Sequence, residues 1–374
     1  MNILIAPDSF KECLTANKVA RSIAHGIKKI NPNHNIEEIP ISDGGEGSIE
    51  FLKKNCDGKA IEHKTENAIG NKILSEYFKF RNSKTAWVEL SQASGLSLIE
   101  KKNRNPGLTS TYGTGLSINH AIKSGCSEII LSLGGSATND AGAGIFQALG
   151  GKLLDENNKQ IEIGCESLFK IKQIKTPKDL NNIKFQIAYD VSNPLLGING
   201  ATKTYSIQKG ATLDQIEKLE KNIFHFSQVV KKDLKIDITK VKGGGSAGGT
   251  AAGLYGLLGA KLSNGFKLIA EFINLEEKVE LADIIFTAEG KLDYQSLNGK
   301  VPIELGKLAK KHKKILICFA GSIEPPYENF YRNGITAIFN IQNKPISLDE
   351  SIKKAESQIS DVSSRVFSFF EKSQ

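Results

Sequence analysis

The stretch EIILSLGGSATNDAGAG, residues 128–144, contains in one piece the pattern that recurs along this chain. Residues 128–133 are apolar at nearly every position, which predicts a strand covered on both faces, as in a largely parallel sheet. Glycine and polar residues follow directly, and a helix is predicted over 141–149. The order of strand, loop and helix is typical of α/β proteins.

The same order repeats in both directions from this stretch. Further strands are predicted over runs rich in Ile, Leu, Val and Phe at 3–6, 36–39, 86–90, 185–189, 283–287, 315–320 and 337–341. Further helices are predicted at 16–29, 114–123, 213–231, 247–258, 303–312 and 351–371. We therefore predict an α/β fold, with polar excursions or linkers at 155–182 and 231–242.

The length of 374 residues indicates two or three domains. In one arrangement, residues 1–75 and 285–374 form a discontinuous lobe, and residues 76–284 are inserted as a second lobe. In the alternative, a simple tandem of domains, the opening and closing strands belong to different sheets. The residue pattern alone leaves both arrangements open.

Composition and charge exclude several classes of protein. With 40% hydrophobic and 24% charged residues, the chain resembles ordinary globular proteins and not disordered ones. The net charge of +8 is scattered along the chain, and there is no zinc-finger spacing, no RNP-like motif and a single Trp, so we predict no nucleic-acid partner. The excess positive charge suits small anions instead.

Cysteine usage and the opening segment bear on the compartment. The five cysteines are widely spaced and include no CxxC pair, which argues against a disulfide framework and a zinc site and favours a reducing cytoplasm. The opening MNILIAPDSFKE has no basic leader, and nowhere do 18 uncharged apolar residues run together. We predict a cytoplasmic protein that is neither secreted nor inserted in a membrane.

Polar residues directly follow five of the predicted strands, where ligands bind in open α/β sheets. These candidate site residues are Asp8 and Ser9; Asp43; Gly134, Gly135, Ser136, Asn139 and Asp140; Asp190 and Asn193; and Glu289 and Asp293. Each acid alone is better explained as a helix N-cap or an Asx turn, because Asp and Asn favour those positions. Their recurrence at five strand ends favours a functional site.

Two glycine clusters add to this pattern. GGSATND at 134–140 is either a tight turn capped by Asn139 or Asp140, or a phosphate site at the start of a helix. GGGSAGG at 243–249 is longer than a turn needs, which predicts close approach of a ligand at Gly244, Gly245 and Gly248. The alternative for this second cluster is a flexible hinge.

Standard catalytic signatures are mostly absent. No Gly-Lys pair continues as in a Walker A motif, and the histidines lack metal-binding spacing. Gly142 and Gly144 are followed by Gln147, where a GxGxxG fingerprint needs its third glycine. Ser246 lies in a GxSxG pattern with His312 and acidic residues downstream, which leaves an α/β-hydrolase-type esterase as an alternative. However, a nucleophile elbow follows a buried strand, and Ser246 follows three glycines.

The remaining set of residues favours phosphoryl transfer. That reaction uses glycine-rich backbone for the phosphates, carboxylates for Mg²⁺ and the hydroxyl proton, and lysines for the developing charge. The chain offers Lys11, Lys209, Lys291 and Lys300 for the last role. The residues alone do not name the acceptor.

Many specific motifs, in order along nearly the whole chain, resemble those of the bacterial type I glycerate kinases. They are PDSFK from Pro7, DGGEG from Asp43, ELSQASGL from Glu89, TSTYGTG from Thr109, GGSATND from Gly134, DVSNPL from Asp190, QKGA from Gln208, the glycine run to Gly249 and AEGKLDYQSLNGKVP from Ala288. Departures from the family pattern are Glu12 and Cys13 in place of small Gly and Ser, Ser246 in place of Ala, and Ala288 in place of Gly.

The resemblance implies ATP-dependent phosphorylation of D-glycerate, giving 2-phosphoglycerate, with Mg²⁺ as cofactor. It also implies a three-layer α/β/α lobe built from both chain ends, and an inserted flavodoxin-like lobe. The oligomeric state, monomer or homodimer, stays open. A different class, a small-acid binding protein without chemistry, would also use a cleft between α/β lobes.

The resemblance leads to a hypothesis about individual roles. Lys11 and Ser9 hold the glycerate carboxylate, with Asp8, Asn139, Asp140 and Asn193 also on the substrate. Asp190 accepts the hydroxyl proton, and Asp8, Asp43 and Asn139 are candidates to exchange roles with the others. Glu289 and Asp293 hold Mg²⁺. The loops with Gly134, Gly135 and Ser136 and with Gly244, Gly245 and Gly248, together with Lys300, bind ATP.

Overall fold

The computed structural model describes residues 1–10, 13–41, 45–189 and 191–372. The strands are β1 (Asn2–Ile5), β2 (Asn35–Glu38), β3 (Gly58–Glu66), β4 (Lys72–Phe80), β5 (Thr85–Glu89), β6 (Glu128–Ser132), β7 (Lys152–Leu154), β8 (Gln173–Lys175), β9 (Lys184–Tyr189), β10 (Lys261–Asn264), β11 (Ile284–Leu292), β12 (Ile315–Ile323) and β13 (Ala337–Asn340). The α-helices are α1 (Ala16–Ile30), α2 (Ser48–Asn55), α3 (Ser91–Ser94), α4 (Tyr112–Lys123), α5 (Ala143–Ala148), α6 (Ala201–Tyr205), α7 (Leu213–Leu234), α8 (Ser246–Leu258), α9 (Gly265–Phe272), α10 (Leu275–Leu281), α11 (Val301–Lys311), α12 (Glu328–Arg332) and α13 (Leu348–Lys372). Short 3₁₀ helices lie at Leu96–Leu98, Lys101–Asn103, Cys165–Lys170, Lys178–Leu180, Ile238–Lys240 and Tyr294–Asn298.

The chain divides into two compact units. Residues 1–43 and 266–374 form one, here called the terminal unit, and residues 44–265 form the other, the inserted unit. Strands and helices alternate in both, so the predicted α/β fold class is confirmed.

The joins between the units differ in position from the predicted domain boundaries, which fell after residues 75 and 284. Both joins lie earlier. The first does so because β3 and β4 pair with each other and β4 pairs with β5, in the sheet of the inserted unit. The sequence pattern did not show this, because charged and polar residues interrupt the apolar residues of β3 and β4, which therefore form no continuous apolar run.

The terminal unit contains a five-stranded parallel sheet in the order β13-β12-β11-β1-β2. Counted along this unit alone, the strand order is 2-1-3-4-5, which is the doubly wound order of flavodoxin-like folds. We predicted that topology for the inserted lobe, and this part of the prediction is wrong. The order arises because β1 and β2 belong to the same sheet as the strands that follow residue 283.

Helices cover both faces of this sheet. The apolar stripe of α1, with Val19, Ile23 and Ile27, packs with α13 against Ile3, Phe286 and other residues on one face of the strands. Helices α10 and α11 contact β1, β11 and β12. Because successive strand residues point to opposite faces, Leu4 lies on the second face, and the terminal unit has three layers, α/β/α.

The inserted unit contains a six-stranded mixed sheet in the order β10-β9-β6-β5-β4-β3. Strands β5, β6, β9 and β10 are parallel, and β3 and β4 form an antiparallel hairpin at one end. Helices α4, α5 and α8 pack on this sheet, burying Ile118, Ile145 and Leu254. The polar segment at 155–182 holds β8, which pairs with β7 in a separate two-stranded sheet. Across the described ranges, no helix combines the length and apolar character needed to span a bilayer.

Candidate active site

The first group of predicted site residues lies at the carboxyl edge of the sheet in the terminal unit. The strand order changes direction between β1 and β11, and such a switch point forms a ligand crevice in open α/β sheets. Asp8 follows β1 and Glu289 lies in β11, and the Asp8 N–H donates to the Ala288 carbonyl oxygen at 3.0 Å. Both acids are buried, at 7% and 4% exposure. The fold therefore places two carboxylic side chains at the switch point.

Asp8 and Ser9 form a local turn. One oxygen of the Asp8 carboxylate accepts hydrogen bonds from the backbone N–H of Ser9 at 2.6 Å and from its hydroxyl at 3.3 Å. Aspartate makes such bonds commonly where a strand ends in a turn. The turn fixes the direction of both side chains, and their contact with a substrate stays a prediction.

Lysines accompany the acids at the end of β11. Lys300 Nζ lies 3.5 Å from Glu289 Oε1, and Lys291 Nζ lies 3.6 Å from Asp293 Oδ2. Asp293 caps the 3₁₀ helix that follows, accepting a hydrogen bond from the Ser296 N–H at 3.0 Å. Burial raises the pKa of Asp293, but the hydrogen bonds from Ser296 and the charges of Lys300 and Lys291 outweigh it and lower the pKa. The carboxylate is therefore ionised at neutral pH.

This donor set fits a magnesium ion. Mg²⁺ is a hard cation that proteins commonly bind through one or two carboxylates, with substrate phosphates and water completing its shell. Glu289 and Asp293 supply two carboxylates, and the lysines beside them suit a site that receives phosphate as well. Among the residues described, no group of three or more His, Cys, Asp and Glu forms a closed metal site.

The second group of predicted site residues lies after β6, in the loop 134–140 of the inserted unit. Gly134 packs so closely on Gly45 and Glu46 that a Cβ there would lie 2.6 Å from the Glu46 nitrogen. On the other side of the loop, the Gly135 carbonyl oxygen accepts a hydrogen bond from the Leu96 N–H at 2.7 Å. The Ala137 N–H donates to the Ser94 carbonyl oxygen at 2.9 Å. The two glycines thus allow two neighbouring chain segments to clamp the loop.

Asn139 and Asp140, predicted to contact the substrate, are fully buried. Asp140 Oδ2 accepts hydrogen bonds from the Thr111 N–H at 2.8 Å, the Thr111 hydroxyl at 2.9 Å and the Ser110 hydroxyl at 3.2 Å. Burial raises the pKa of Asp140, and these hydrogen bonds oppose the rise. Asn139 Nδ2 donates to the Thr202 hydroxyl at 3.1 Å. In the structure both side chains hold the loop in place.

The glycine run 243–249 packs against other backbone segments. A Cβ at Gly248 would overlap the Thr138 carbonyl oxygen, and one at Gly245 would overlap that of Pro194. Gly248 also has a φ of +67°, in the left-handed region that favours glycine. We interpreted this glycine density as a sign of close ligand approach; in the structure, close approach of backbone to backbone accounts for Gly245 and Gly248. Gly244 hydrogen-bonds the Val241 oxygen at 3.0 Å, and phosphate binding by the run stays a prediction.

Asn193 joins the glycine run to the segment around α6. Its carbonyl oxygen accepts a hydrogen bond from the Gly245 N–H at 2.9 Å. Its side chain donates to the Asn199 oxygen at 2.8 Å and accepts from the Tyr205 hydroxyl at 2.8 Å. The inserted unit therefore brings residues 134–140, 193–210 and 243–249 together into one assembly.

Glu89 is a buried carboxylate that the sequence analysis did not select. Its oxygens accept hydrogen bonds from the backbone N–H groups of Gly47 at 2.8 Å and Ile49 at 3.1 Å, at the beginning of α2, and from the Ser91 hydroxyl at 2.6 Å. An anion at a helix N-terminus is stabilised by the unpaired N–H groups and the helix dipole. The sequence contained a signal for Glu89, because it is an acid at the end of a predicted strand, as the other candidates are.

Lys209 is a second residue missing from the predicted site, although the sequence analysis named it among the lysines. It is only 3% exposed, and its ammonium group donates to the Ser136 hydroxyl at 2.8 Å and the Thr138 carbonyl oxygen at 2.7 Å. It therefore contacts the predicted phosphate loop directly.

Three predicted catalytic residues, Lys11, Asp43 and Asp190, lie outside the described residues, as does Glu12. Asp190 directly follows β9, whose neighbours β6 and β10 are parallel to it. Their roles stay predictions.

The esterase alternative required a nucleophile elbow at Ser246. The residues before Ser246 form a turn that follows the 3₁₀ helix Ile238–Lys240, with no strand immediately before it in this described part of the chain. The Ser246 hydroxyl is buried and donates to the Gly243 carbonyl oxygen at 2.8 Å, and His312 pairs with Glu276 at 2.8 Å. Ser246 thus lacks the strand-to-helix elbow that exposes a hydrolase nucleophile.

Comparison with known proteins gives a consistent result along the whole chain. The model of the glycerate kinase family matches residues 3–371. A glycerate kinase of Halalkalibacterium halodurans is 41% identical over 358 residues, which cover 95% of this chain and 94% of that one. The glycerate 2-kinase of Escherichia coli K12 is 39% identical over 363 residues, with 96% and 95% covered.

A solved structure agrees with these relatives. The crystal structure of a protein named glycerate kinase 2 from Salmonella typhimurium LT2 superposes with a TM-score of 0.84 at 34% sequence identity, covering 100% of this chain and 99% of that one. The motifs, the fold and the matched length point to one conclusion. The chain belongs to the glycerate kinase family.

Proposed function

We propose that this protein transfers the γ-phosphoryl group of ATP to D-glycerate and forms 2-phosphoglycerate. The observation that carries the proposal is the edge of the terminal sheet, where Asp8, Glu289 and Lys300 lie at the switch point between β1 and β11. The names of the relatives support the substrate and the product, since one of them is a glycerate 2-kinase. Family membership supports ATP as the phosphoryl donor.

Phosphoryl transfer depends mainly on positioning and charge neutralisation. Glu289 and Asp293 would hold Mg²⁺, which, when bound, neutralises charge on the phosphates. Lys300, beside Glu289, adds a positive charge at the same edge. The loops 134–136 and 244–248 would contact the phosphates of ATP through their backbone N–H groups.

The acceptor is held and activated by separate residues in this proposal. Lys11 and Ser9 bind the glycerate carboxylate, with Asp8, Asn139, Asp140 and Asn193 completing the substrate side. Asp190 accepts the proton of the 2-hydroxyl as its oxygen attacks the γ-phosphorus. The new O–P bond forms while the bond from the γ-phosphorus to the bridging oxygen breaks, and ADP leaves with that oxygen. Asp8, Asp43 and Asn139 are the candidates to exchange roles with these residues.

A coupled assay of ADP release tests the reaction. We expect ADP to form only when ATP, Mg²⁺ and D-glycerate are all present, and phosphorus NMR to identify 2-phosphoglycerate rather than 3-phosphoglycerate. Binding of glycerate without any ADP release would support a binding protein instead. Hydrolysis of p-nitrophenyl acetate that is lost in Ser246→Ala would support the esterase.

Substitution of the base gives a sharper test. We expect Asp190→Asn to lower kcat by about 100-fold or more, because proton transfer to a positioned group contributes about 100- to 10,000-fold. Asp179→Asn, in an exposed 3₁₀ helix, is the matched control and should keep full activity. Near-normal turnover of Asp190→Asn would show that a different residue takes the proton.

We also propose that the reaction takes place in the cytoplasm. The wide cysteine spacing supports a reducing cytoplasm. Size-exclusion chromatography with light scattering distinguishes a monomer of 40.7 kDa from a homodimer.

A further inference from the structure

Lys209 is a buried lysine whose ammonium group contacts the loop that precedes α5. Its ammonium group donates to the Ser136 hydroxyl and to the Thr138 carbonyl oxygen, at 2.8 Å and 2.7 Å. Taking an ammonium ion out of water is costly unless hydrogen bonds and an opposite charge compensate. The hydrogen bonds to the Lys209 ammonium group are present, so the remaining requirement is a negative charge that balances it.

The fold directs Lys209 inward. It lies in the turn after α6, where its N–H donates to the Ser206 oxygen at 3.1 Å and the Gly210 N–H donates to the Ile207 oxygen at 2.9 Å. Gly210 has a φ of +96°, and a Cβ there would overlap the Arg104 carbonyl oxygen. The turn that carries Lys209 therefore packs directly on the backbone of Arg104.

The segment with Lys209 holds the loop at several points. Thr202 and Ser206 contact the Asn139 side chain at 3.1 Å and 3.4 Å, while Lys209 holds Ser136 and Thr138. The hydroxyl of Thr138 is also buried, and it finds no hydrogen-bond partner among the residues described. The loop is thus fixed from one side and retains a free buried hydroxyl.

No carboxylate balances the charge of Lys209 by direct contact within the described part of the chain. Asp140 acts on it at longer range, and its carboxylate is engaged with Ser110, Thr111 and Gly144. The backbone of Arg104 lies near Gly210, and its guanidinium donates to the Ile99 and Leu96 oxygens. Lys203, one turn earlier, pairs with Glu217 at 3.0 Å. The Cys165 thiol beside Asn139 has its pKa raised by burial, so it adds no charge.

We propose that Lys209 is a positioning residue for phosphate binding: its ammonium group fixes Ser136 and Thr138, and its charge is balanced by the phosphate that loop 134–140 receives. The inference rests on the proposed function, because it takes this loop as a phosphate site. Binding of a phosphate would then favour the charged lysine, and the charged lysine would favour binding.

Burial lowers the pKa of Lys209 to about 7, while Asp140 opposes the decrease. In the free protein the ammonium group therefore loses its proton as the pH rises through about 7. The pH profile of kcat/KM reports groups of the free enzyme, so it is a direct readout of this lysine.

The experiment compares the wild type with Lys209→Arg, Lys209→Met and the control Lys203→Met, from pH 6 to 9. For the wild type we expect kcat/KM for MgATP to fall by about tenfold per pH unit on the alkaline side. Lys209→Arg should lose this alkaline decrease, because guanidinium stays charged. Lys209→Met should reduce kcat/KM by about 100-fold near pH 7, and Lys203→Met should behave as the wild type.

Titration calorimetry with MgATP at pH 7.5, in two buffers of different ionisation enthalpy, adds a measurement that needs no activity. We expect the wild type to take up a proton on binding and Lys209→Arg to take up none. If circular dichroism shows that Lys209→Met is not folded, the comparison of the wild type with Lys209→Arg tests the inference by itself. The inference is overturned if the alkaline limb persists in Lys209→Arg, if proton uptake is the same in both proteins, or if folded Lys209→Met matches Lys203→Met. Binding with proton uptake but without phosphoryl transfer would defeat the proposed reaction alone, whereas a wild type that binds no MgATP would defeat both.

Discussion

At Gly248 the lack of a side chain lets two loops of the inserted unit touch. The residue has a φ of +67°, and its Cα faces the carbonyl oxygen of Thr138 in the loop after β6. The Ala141 N–H donates to the Gly248 oxygen at 3.0 Å, so the two loops are also hydrogen-bonded. A methyl group at position 248 would separate segments that both belong to the candidate phosphate site.

Gly248→Ala should therefore destabilise the protein by about 3 kcal/mol or more, since it combines left-handed backbone strain with a steric overlap. Gly259→Ala is the matched control, because Gly259 has a φ of +64° with open space around it. That variant should lose only about 1 kcal/mol. Urea unfolding measures both changes, and equal losses would show that the loops separate freely.

The sequence marked this glycine run as important but did not show what approaches it. Glycine density predicts a close contact, and a ligand and a second backbone segment require the same lack of a side chain. Thr138 and Pro194, which make the contacts, are far from Gly245 and Gly248 along the chain. The partner was therefore beyond what a single sequence shows, and the same holds for Lys209 and Ser136.

Among the elements, α2 depends on a residue from another element for its start. Gly47 precedes it without a side chain that could cap the helix, and the Glu89 carboxylate at the end of β5 takes that role from a distance of 42 residues along the chain. This capping ties Gly47 and the beginning of α2 to the end of β5. Partial desolvation and the neighbouring Glu89 charge raise the pKa of Glu46.

Glu89→Gln should lower stability by about 1–3 kcal/mol, because a buried N–H then faces an amide in place of a carboxylate. Glu50→Gln is the control in the first turn of the same helix. Its acid forms an exposed pair with Lys53 at 2.8 Å, and such pairs contribute at most about 1 kcal/mol. Hydrogen exchange should show faster opening of residues 47–52 in Glu89→Gln alone. Equal exchange in both variants would mean that α2 does not need its cap.

Sequence prediction of the elements succeeded for strands with continuous apolar runs. The prediction 128–133 corresponds to β6, and 315–320 lies within β12. It missed β3 and β4, whose sequences mix charged and apolar residues because the hairpin is only partly buried. It also missed α2, which has eight residues and no side-chain N-cap of its own. Weak local signals of this kind become structure only through tertiary partners.

For the whole molecule, the pattern β-loop-α was enough to predict the class but not the assignment of strands to sheets. The strand order 2-1-3-4-5 in the terminal unit depends on which distant strands pair, and no local pattern encodes the pairing of β1 with β11. The resemblance to the glycerate kinases supplied the discontinuous arrangement that residues alone left open.

The response of the protein to acid should depend on His63, a buried residue of β3 that contacts α4. Its Nε2 contacts the Ser117 hydroxyl at 2.8 Å, and its ring stacks on His120 at 5.0 Å. Burial lowers the pKa of His63 below its ordinary value of 6.5, and the nearby His120 adds to the effect. The unfolded chain therefore binds this proton more readily, so the contribution of neutral His63 to stability is lost as the pH falls below about 6.5.

His63→Gln should make the unfolding free energy less steeply dependent on pH between 7 and 5, since Gln keeps a hydrogen-bonding group without titrating. His25→Gln, at an exposed position of α1, is the control and should leave the slope unchanged. Urea unfolding at several pH values measures the slope. An identical slope in the wild type and His63→Gln would assign the acid response to other groups.

The terminal unit is built from both ends of the chain, and this affects how the protein folds during its synthesis. Strand β1 ends at Ile5, but its partner β11 begins at Ile284, and α1 packs on α13, which begins at Leu348. At about 5–20 residues per second, a ribosome needs roughly 15–60 s to reach β11 after β1 has been synthesised. During that time the whole inserted unit can fold, while one edge of β1 and the apolar stripe of α1 wait without their native neighbours. Those first thirty or so residues are therefore the part of the nascent chain most in need of a chaperone.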